Sequence, residues 1–333
     1  MNFARLSARI TDWGMCTMMD VIQRRHRMTF QTPRDFRFYL EEHAGQTRDS
    51  YFHAPPAQPG DYNLLRQRHT RLRWHSPITT PWPDNNNAHV DYYLGTGGTS
   101  APTVLMLHAL MSASDLGYKR WAARFNERGW NACFLHLPYH YSRKPAGRLN
   151  GELAITADVI RTAEGLRQGV SEARQLLNLL RGHGCRDFAL WGTSYGGWIG
   201  ALLLSVEHGI RWASLMSPIV DVHHAIWHSP AGAATRRELR RVGIDEATVE
   251  RHFHLVSPLH AKPLDEATRV LLFAGEWDRV VEARDVEELY RAWPASEYAL
   301  VPQGHFGYRM MRESWEAVTA RGLLGANVTE SSP

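Results

Sequence analysis

The chain has 333 residues, of which 44% are hydrophobic, and its formal net charge is only +4 at neutral pH. This length and composition suit one large α/β domain with insertions and a sizeable core. Because lysine and arginine are spread along the chain rather than gathered into runs, we expect no nucleic-acid partner.

The first segment of the chain, residues 1–60, reads as an N-terminal extension. A helix is predicted from Phe3 to about Ile22, and we favour its packing on the main domain over a role at a membrane surface. No stretch approaches the ~18 consecutive apolar residues that a membrane span needs. The segment also lacks the pattern of a secretory signal, and the prolines that precede Gly60 mark its end.

The cysteines indicate a reducing environment. Cys16, Cys133 and Cys185 match no metal or redox spacing, and their number is odd. We therefore expect no disulfide framework, and a cytoplasmic location.

The main domain is expected at 61–325, followed by a flexible tail at 326–333. Buried strands alternate with helices through most of it, which predicts a mostly parallel sheet of about eight strands with helices on both faces. The predicted strands are 70–78, 89–94, 103–107, 131–137, the short apolar run from residue 188 that precedes Gly192, 212–216, 270–274 and 297–301. A polar, histidine-rich insertion at 219–262 carries helical patterns and no clear strand, so it is interpreted as a helical cap.

The central motif is Gly192-Thr193-Ser194-Tyr195-Gly196, which lies between a predicted strand and a predicted helix. This context is typical of a nucleophile elbow, in which the serine occupies a sharp, strained turn. Glycine is needed on both sides because a Cβ there would crowd the turn. The helix that follows directs its N-terminal N–H groups toward the serine.

A serine hydroxyl needs a base within hydrogen-bond reach, and the base needs an orienting acid. Asp278 follows the buried strand 270–274, and His305 follows the last strand. Asp221, after the preceding strand, is the alternative acid. The order serine, acid, histidine along the chain resembles that of the α/β-hydrolase superfamily, in its esterase, lipase and dipeptidyl-peptidase-like branches, over about residues 90–320.

The resemblance implies roles for these residues. Ser194 would be the nucleophile, His305 the general base and acid, and Asp278 the orienting acid. An oxyanion hole would use the backbone N–H of Tyr195 and that of Leu110, with Met111 as the alternative to Leu110. In the family the loop after the third strand often begins His-Gly, whereas here it begins His108-Ala109.

Several other residues are candidates for substrate contacts. His108, Met111 and Trp227 are expected to contact the substrate. Three basic residues after the fourth strand either receive an anionic group or belong to a solvated loop: Arg143, Lys144 and Arg148. A cluster of cap histidines suggests metal binding, but a polar cap surface is favoured and no metal is predicted: His223, His224 and His228.

The sequence therefore predicts a serine hydrolase that cleaves a carboxylic ester through an acyl-serine intermediate. No cofactor is implied, the partner is a small-molecule ester or acyl substrate, and a homodimer is possible. The alternatives are an amidase or peptidase, an acyltransferase with the same triad, or a non-catalytic binding protein of the same fold.

Overall fold

The computed structural model describes residues 3–25, 32–57 and 67–325. Part of the predicted break at Pro59 and Gly60, and the whole predicted tail at 326–333, lie outside these ranges. No helix in the described ranges combines the length and the apolar character that crossing a bilayer requires.

One eight-stranded sheet forms the centre of the fold, with strand order β1-β2-β4-β3-β5-β6-β7-β8. β1 and β2 pair antiparallel and β2 pairs antiparallel with β4, whereas all later pairs are parallel. The strands are β1 (His69–His75), β2 (Asn87–Tyr93), β3 (Thr103–Leu107), β4 (Asn131–His136), β5 (Phe188–Thr193), β6 (Ile210–Met216), β7 (Arg269–Gly275) and β8 (Ser296–Val301). The predicted mostly parallel sheet is confirmed.

The central parallel strands are buried along most of their length because helices cover both faces of the sheet. All five residues of β3 and all six of β4 are buried. Two hydrophobic clusters lie on opposite faces, one containing Leu105 and Leu190 and the other Met106 and Trp191. This alternation of neighbouring residues follows from the two-residue period of a strand.

The helices that flank the sheet are α4 (Leu116–Glu127), α5 (Val159–Gly182), α6 (Tyr195–Leu204), α11 (Ala283–Ala292) and α12 (Arg309–Ala320). The side chain of Asp158 caps α5 by accepting a hydrogen bond from the backbone N–H of Arg161. α6 has no polar face, since all ten of its residues are buried. Both ends of this helix are therefore fixed by packing.

The cap consists of short helices between β6 and β7. They are α7 (Val222–Trp227), α8 (Ala233–Arg241), α9 (Glu246–Glu250) and α10 (Phe253–Val256). Asp221, the alternative acid of the sequence analysis, serves as the N-cap of α7 because its carboxylate accepts the backbone N–H of His224 at 2.9 Å.

The N-terminal segment contributes α1 (Phe3–Gln23), α2 (Pro33–His43) and α3 (Arg48–Tyr51). α1 contacts the cap, where Asp20 pairs with Arg237 of α8 at 2.7 Å, and the loop before α5, where the Gln23 amide donates to the carbonyl of Ile155 at 2.5 Å. One stripe of α1 stays exposed, with Phe3 at 83% and Trp13 at 69%.

Candidate active site

Ser194 lies at the tip of the turn between β5 and α6. Its backbone has φ 51° and ψ −112°, a conformation that non-glycine residues rarely adopt. A Cβ on residue 192 would lie 2.8 Å from the Gly196 carbonyl oxygen, and one on residue 196 would lie 2.2 Å from that of Leu107. The two glycines are therefore required by the sharpness of the turn and by its packing against β3.

A chain of hydrogen bonds joins three side chains at the carboxyl ends of the parallel strands. The Ser194 Oγ lies 2.9 Å from Nε2 of His305, and Nδ1 of His305 lies 2.8 Å from Oδ2 of Asp278. A carboxylate can only accept, so Nδ1 carries the proton and Nε2 accepts from the serine hydroxyl. The structure thus brings together the three residues proposed as nucleophile, base and acid.

Asp278 is held on both of its oxygens. Oδ1 accepts the backbone N–H groups of Val280 and Val281 at 2.8 and 2.9 Å, and Oδ2 accepts the hydroxyl of Ser217 at 2.9 Å. Ser217 is not among the site residues predicted from the sequence. Its position directly after β6 was the available signal, because the carboxyl ends of neighbouring parallel strands meet at one edge.

The imidazole of His305 is almost fully enclosed, with 8% of its side chain exposed. Burial by itself lowers the pKa of His305, but the charge and the hydrogen bond of Asp278 outweigh it, aided by the charge of Asp12, and the pKa is raised above its usual value. A histidine with this environment is a competent base near neutral pH.

The loop after β3 supplies the second group of backbone N–H donors. The N–H of Ala109 donates to the Tyr118 hydroxyl at 3.1 Å, and that of Met111 donates to Nε2 of His140 at 3.2 Å. Within the described part of the chain, the N–H of Leu110 between them has no hydrogen-bond partner. This arrangement favours Leu110 over the alternative donor Met111, whose N–H is already used.

His140 holds this loop in its conformation through a hydrogen bond to Met111. Its Nδ1 bonds to the carbonyl of Pro138 at 2.8 Å, so Nε2 is free to accept from Met111, which has φ 52°. Desolvation lowers the pKa of His140 to about 4, and the ring therefore stays neutral at physiological pH. Because Met111 is not glycine, its left-handed backbone needs such support.

A large cavity of about 1090 Å³ opens beside Ser194 and His305. Most of its lining is apolar and comes from the cap, α1, α2, α5 and the loop after β3, including Met111 as predicted. Its charged lining residues among those described are Arg120 and Arg124 of α4, and no carboxylate lines it there. Such a cavity suits a molecule with a substantial apolar portion.

Two of the predicted substrate contacts, His108 and Trp227, are not among the residues that line the cavity. His108 is completely buried, and its Nδ1 and Nε2 bond to the Ala109 carbonyl and to the Leu137 N–H, at 2.9 and 3.0 Å. Trp227 packs against the hydrophobic core, and its neighbour Ile226 lines the cavity instead. His108 shapes the loop after β3, while Trp198 of α6 is an aromatic residue of the cavity wall that the prediction omitted.

The basic loop after β4 does not face the cavity. Arg143 is fully buried and forms a bidentate ion pair with Glu172 of α5, so it belongs neither to a solvated loop nor to an anion site. Lys144 donates to the carbonyl of Arg148 at 2.9 Å, and Arg148 pairs with Glu152. A buried arginine of this kind cannot be recognised from the sequence without knowing its partner.

The cap histidines divide into two groups. His224 bonds to Asp285 at 2.7 Å. The ligand atoms of His223, His228 and Glu246 lie within 4.8 Å of one another at the cap surface and could hold a metal ion. The Nε2 atom of His223 lies 2.6 Å from an oxygen of Glu246, which explains the cluster as an ion pair. None of these residues lines the cavity.

Known proteins resemble this chain at two levels. No family model matches the sequence. Two proteins of Mycobacterium tuberculosis, from strains CDC 1551 and H37Rv and both described as uncharacterized, are 27% identical over 298 residues. The match covers 85% of this chain and 65% of each relative, so the chain spans less than two thirds of their length.

Solved structures match over most of the fold. Acetyl xylan esterase 1 from Thermoanaerobacterium sp. has a TM-score of 0.61 at 15% identity, covering 91% of this chain and 98% of its own. Acetyl xylan esterase from Paenibacillus sp. R4 has 0.62 at 16%, covering 92% and 98%. Acylaminoacyl peptidase from Pyrococcus horikoshii has 0.53 at 16%, covering 85% and 44%. At these identities the likeness concerns the fold.

Proposed function

We propose that this chain, which has the α/β-hydrolase fold, is a serine hydrolase that cleaves a carboxylic ester through an acyl-serine intermediate. The observation that carries the proposal is the continuous hydrogen-bond chain from Ser194 Oγ through His305 to Asp278, at 2.9 and 2.8 Å. It lies beside a cavity with room for a substrate. A buried serine that serves only structure needs neither feature.

The geometry supports the following acylation step. Nε2 of His305 accepts the proton of the Ser194 hydroxyl while Oγ attacks the carbonyl carbon of the ester. The negative oxygen of the tetrahedral intermediate is stabilised by the N–H groups of Tyr195 and Leu110. Each such donor typically contributes ~10²–10³ in rate. The imidazolium then protonates the departing alkoxide, which leaves as the alcohol.

Deacylation repeats these roles with water. His305 removes a proton from water as it attacks the acyl carbon, and then returns the proton to Ser194 Oγ, releasing the carboxylic acid. Throughout, Asp278 stays ionised and stabilises the positive charge that His305 carries in both transition states. Its oxygens are held by Val280, Val281 and Ser217, so the carboxylate stays in place as the charge forms.

The cavity supports an ester with an apolar acyl or alcohol group rather than a free peptide. Its lining is mostly apolar, and no Asp or Glu lines it in the described part of the chain to pair with a free amino terminus. The acetyl xylan esterases share the fold, but their substrate is not assigned to this chain on that ground.

The proposal is tested with an active-site probe and an ester panel. A fluorophosphonate should label the wild-type protein and a Ser205→Ala control, since Ser205 lies at the end of α6 outside the cavity. Ser194→Ala should take no label and lose hydrolysis of p-nitrophenyl esters. Labelling that persists in Ser194→Ala would contradict the assignment, as would a wild-type protein that neither reacts nor hydrolyses any ester.

A further inference from the structure

Asp12, on the N-terminal helix α1, enters the loops that carry the proposed catalytic acid and base. It is fully buried, although carboxylates are rarely buried without partners. Both of its oxygens lie 3.0 Å from the backbone nitrogen of His305, and Oδ2 also accepts the N–H of Arg279 at 3.0 Å. Arg279 directly follows Asp278, so one carboxylate bonds to both loops.

We propose that Asp12 is a positioning residue for the hydrolase site: it ties the loop of His305 to the loop of Asp278 and thereby sets the geometry of the triad. The inference rests on the proposed function, and it assigns a role to a segment outside the α/β-hydrolase sheet. Asp12 acts through His305 and Asp278, and it does not itself contact Ser194.

Both loops extend beyond the sheet: Asp278 lies three residues beyond β7 and His305 lies four beyond β8. The N–H of Trp277 donates to the carbonyl of Gln303 at 3.0 Å, which joins the two backbones just before these residues. Asp12 adds the contacts nearest the reacting groups, since it bonds to the N–H of His305 itself and to that of Arg279. A misplacement of about 1 Å between reacting groups can cost ~10² in rate. Removing this shared acceptor would therefore reduce catalysis without removing a reacting group.

Gly304 leaves room for the carboxylate of Asp12 because it has no Cβ. A Cβ at this position would lie 2.8 Å from Oδ1 and 3.0 Å from Oδ2 of Asp12. The glycine before the histidine thus lets the carboxylate reach the His305 N–H at hydrogen-bond distance. This contact provides a local reason for a glycine that the backbone conformation alone does not require.

The charge of Asp12 also acts on the site. Burial raises its pKa, the N–H groups of His305 and Arg279 lower it, and the nearby charge of Asp278 raises it again. The titratable groups around it are Asp278 and His305 on the two loops and Cys16 one turn along α1, whose thiol pKa burial raises to about 11. Asp12 also acts on His305: its negative charge helps to raise the pKa of the imidazole.

α1 is held firmly enough to present Asp12. Its C-terminal half contacts the cap through the Asp20–Arg237 pair and the loop before α5 through Gln23, and its Met15 and Met19 line the cavity. The helix therefore closes one wall of the cavity and bonds to the triad loops from the same face. Both properties identify it as part of the site rather than as a surface addition.

The test compares Asp12→Asn and Asp12→Ala with Asp20→Asn in the full-length protein. Asn is nearly isosteric but loses the charge and keeps only one acceptor oxygen, so its NH2 group replaces the other acceptor beside the backbone N–H groups. Asp20→Asn removes an acid from the same helix outside the cavity. We expect kcat to fall by about 10² in both Asp12 variants with KM changed by less than about threefold. Asp20→Asn should change kcat by less than about threefold, because the arginines that pair with Asp20 are largely exposed and such surface ion pairs contribute little.

The second readout is the pKa of His305, followed by NMR of the ring and assigned with His305→Gln. It should be lower in Asp12→Asn than in wild type, together with the acid limb of kcat/KM, because one negative charge is lost. Circular dichroism establishes that each variant is folded, and Asp12→Asn remains informative if Asp12→Ala does not fold.

Two results would overturn the inference. The first is wild-type kcat together with an unchanged His305 pKa in Asp12→Asn. The second is a loss of kcat in Asp20→Asn as large as in Asp12→Asn, which would mean that any loosening of α1 lowers kcat. Failure of the proposed function is recognised separately. In that case the wild-type protein takes no fluorophosphonate and hydrolyses no ester, while the NMR titration still decides whether Asp12 holds and polarises His305.

Discussion

Arg143 and Glu172 form an ion pair beneath the loop after β4, and neither side chain is exposed to solvent. Nη2 of Arg143 lies 2.8 Å from Oε1 of Glu172, and it also donates to the carbonyl of Asn85 at 2.6 Å. Burial raises the pKa of Glu172 even though Arg143 opposes it. The pair therefore fixes the loop at a considerable desolvation cost.

We expect substitutions in the Arg143–Glu172 pair to destabilise the protein. Arg143→Met and Glu172→Leu should each lower the free energy of unfolding by about 3–5 kcal/mol, because each leaves an uncompensated buried charge. The double variant should be less destabilised than the sum of the two, with a coupling of at least about 1 kcal/mol. Urea denaturation of the four proteins measures this cycle, and strictly additive losses would argue against the pair.

The environment of His305 sets the pH dependence of activity. The imidazole must be neutral to accept the Ser194 proton, and its pKa is raised above the usual value of about 6.5. Activity should therefore fall as pH decreases through a value above 6.5, and kcat/KM should report this limb. Asp278→Asn should lower kcat by about 10⁴ and move the limb to lower pH. A limb that Asp278→Asn leaves unmoved would assign it to another group.

The same shift affects stability with the opposite dependence on pH. Since the folded-state pKa of His305 exceeds that of the unfolded chain, its contribution is fully present below about pH 6.5 and is lost as pH rises through the folded value. Low pH thus favours the protonated pair with Asp278 while it removes the base that the reaction needs.

A substitution at His140 tests whether the loop after β3 carries the proposed oxyanion donor, Leu110. His140→Phe removes the acceptor of the Met111 N–H while it preserves a buried ring of similar shape. We expect kcat to fall about 10- to 100-fold, because Met111 is released from its left-handed conformation and Leu110 loses its orientation. KM for a short ester should change much less. A parallel His75→Phe change on the exposed end of β1 should leave both constants unaltered.

The size of the cavity predicts a preference among acyl chains. Each methylene that enters an apolar cavity contributes about 0.8 kcal/mol, or roughly a fourfold gain in kcat/KM. Ala225 of α7 lines the cavity, so Ala225→Phe should lower kcat/KM for long-chain p-nitrophenyl esters at least about tenfold and spare the acetate. Kinetics with chains of increasing length, with Ala292→Phe at the end of α11 as a control outside the cavity, measure this effect. An equal loss for all chain lengths would place Ala225 away from the acyl group.

The sequence predicted those features that depend on local pattern. The central strands follow from buried apolar runs and β1 from the alternation of exposed and buried residues. Ser194, Asp278 and His305 each follow a strand whose carboxyl end lies at one edge. The order of residues along a parallel sheet therefore carries information about proximity in space.

Contacts between segments that are distant along the chain leave no pattern in the sequence. No periodicity or motif connects Asp12 with His305, or Arg143 with Glu172, and burial of a charge depends on a partner that only the folded chain supplies. His108 and Trp227 lie outside the cavity lining for a related reason. Position near the site is readable from the order of elements, whereas the direction in which a side chain points depends on packing.

The hydrogen bonds of Asp12 to His305 span 293 residues of sequence. During synthesis the helix that carries the carboxylate leaves the ribosome long before the histidine that it holds. We expect this contact to form late in folding, because the chain loses the conformational entropy of closing a long loop before the contact stabilises it. The site can therefore mature only after the last strand has joined the sheet, and incomplete chains remain without a competent nucleophile.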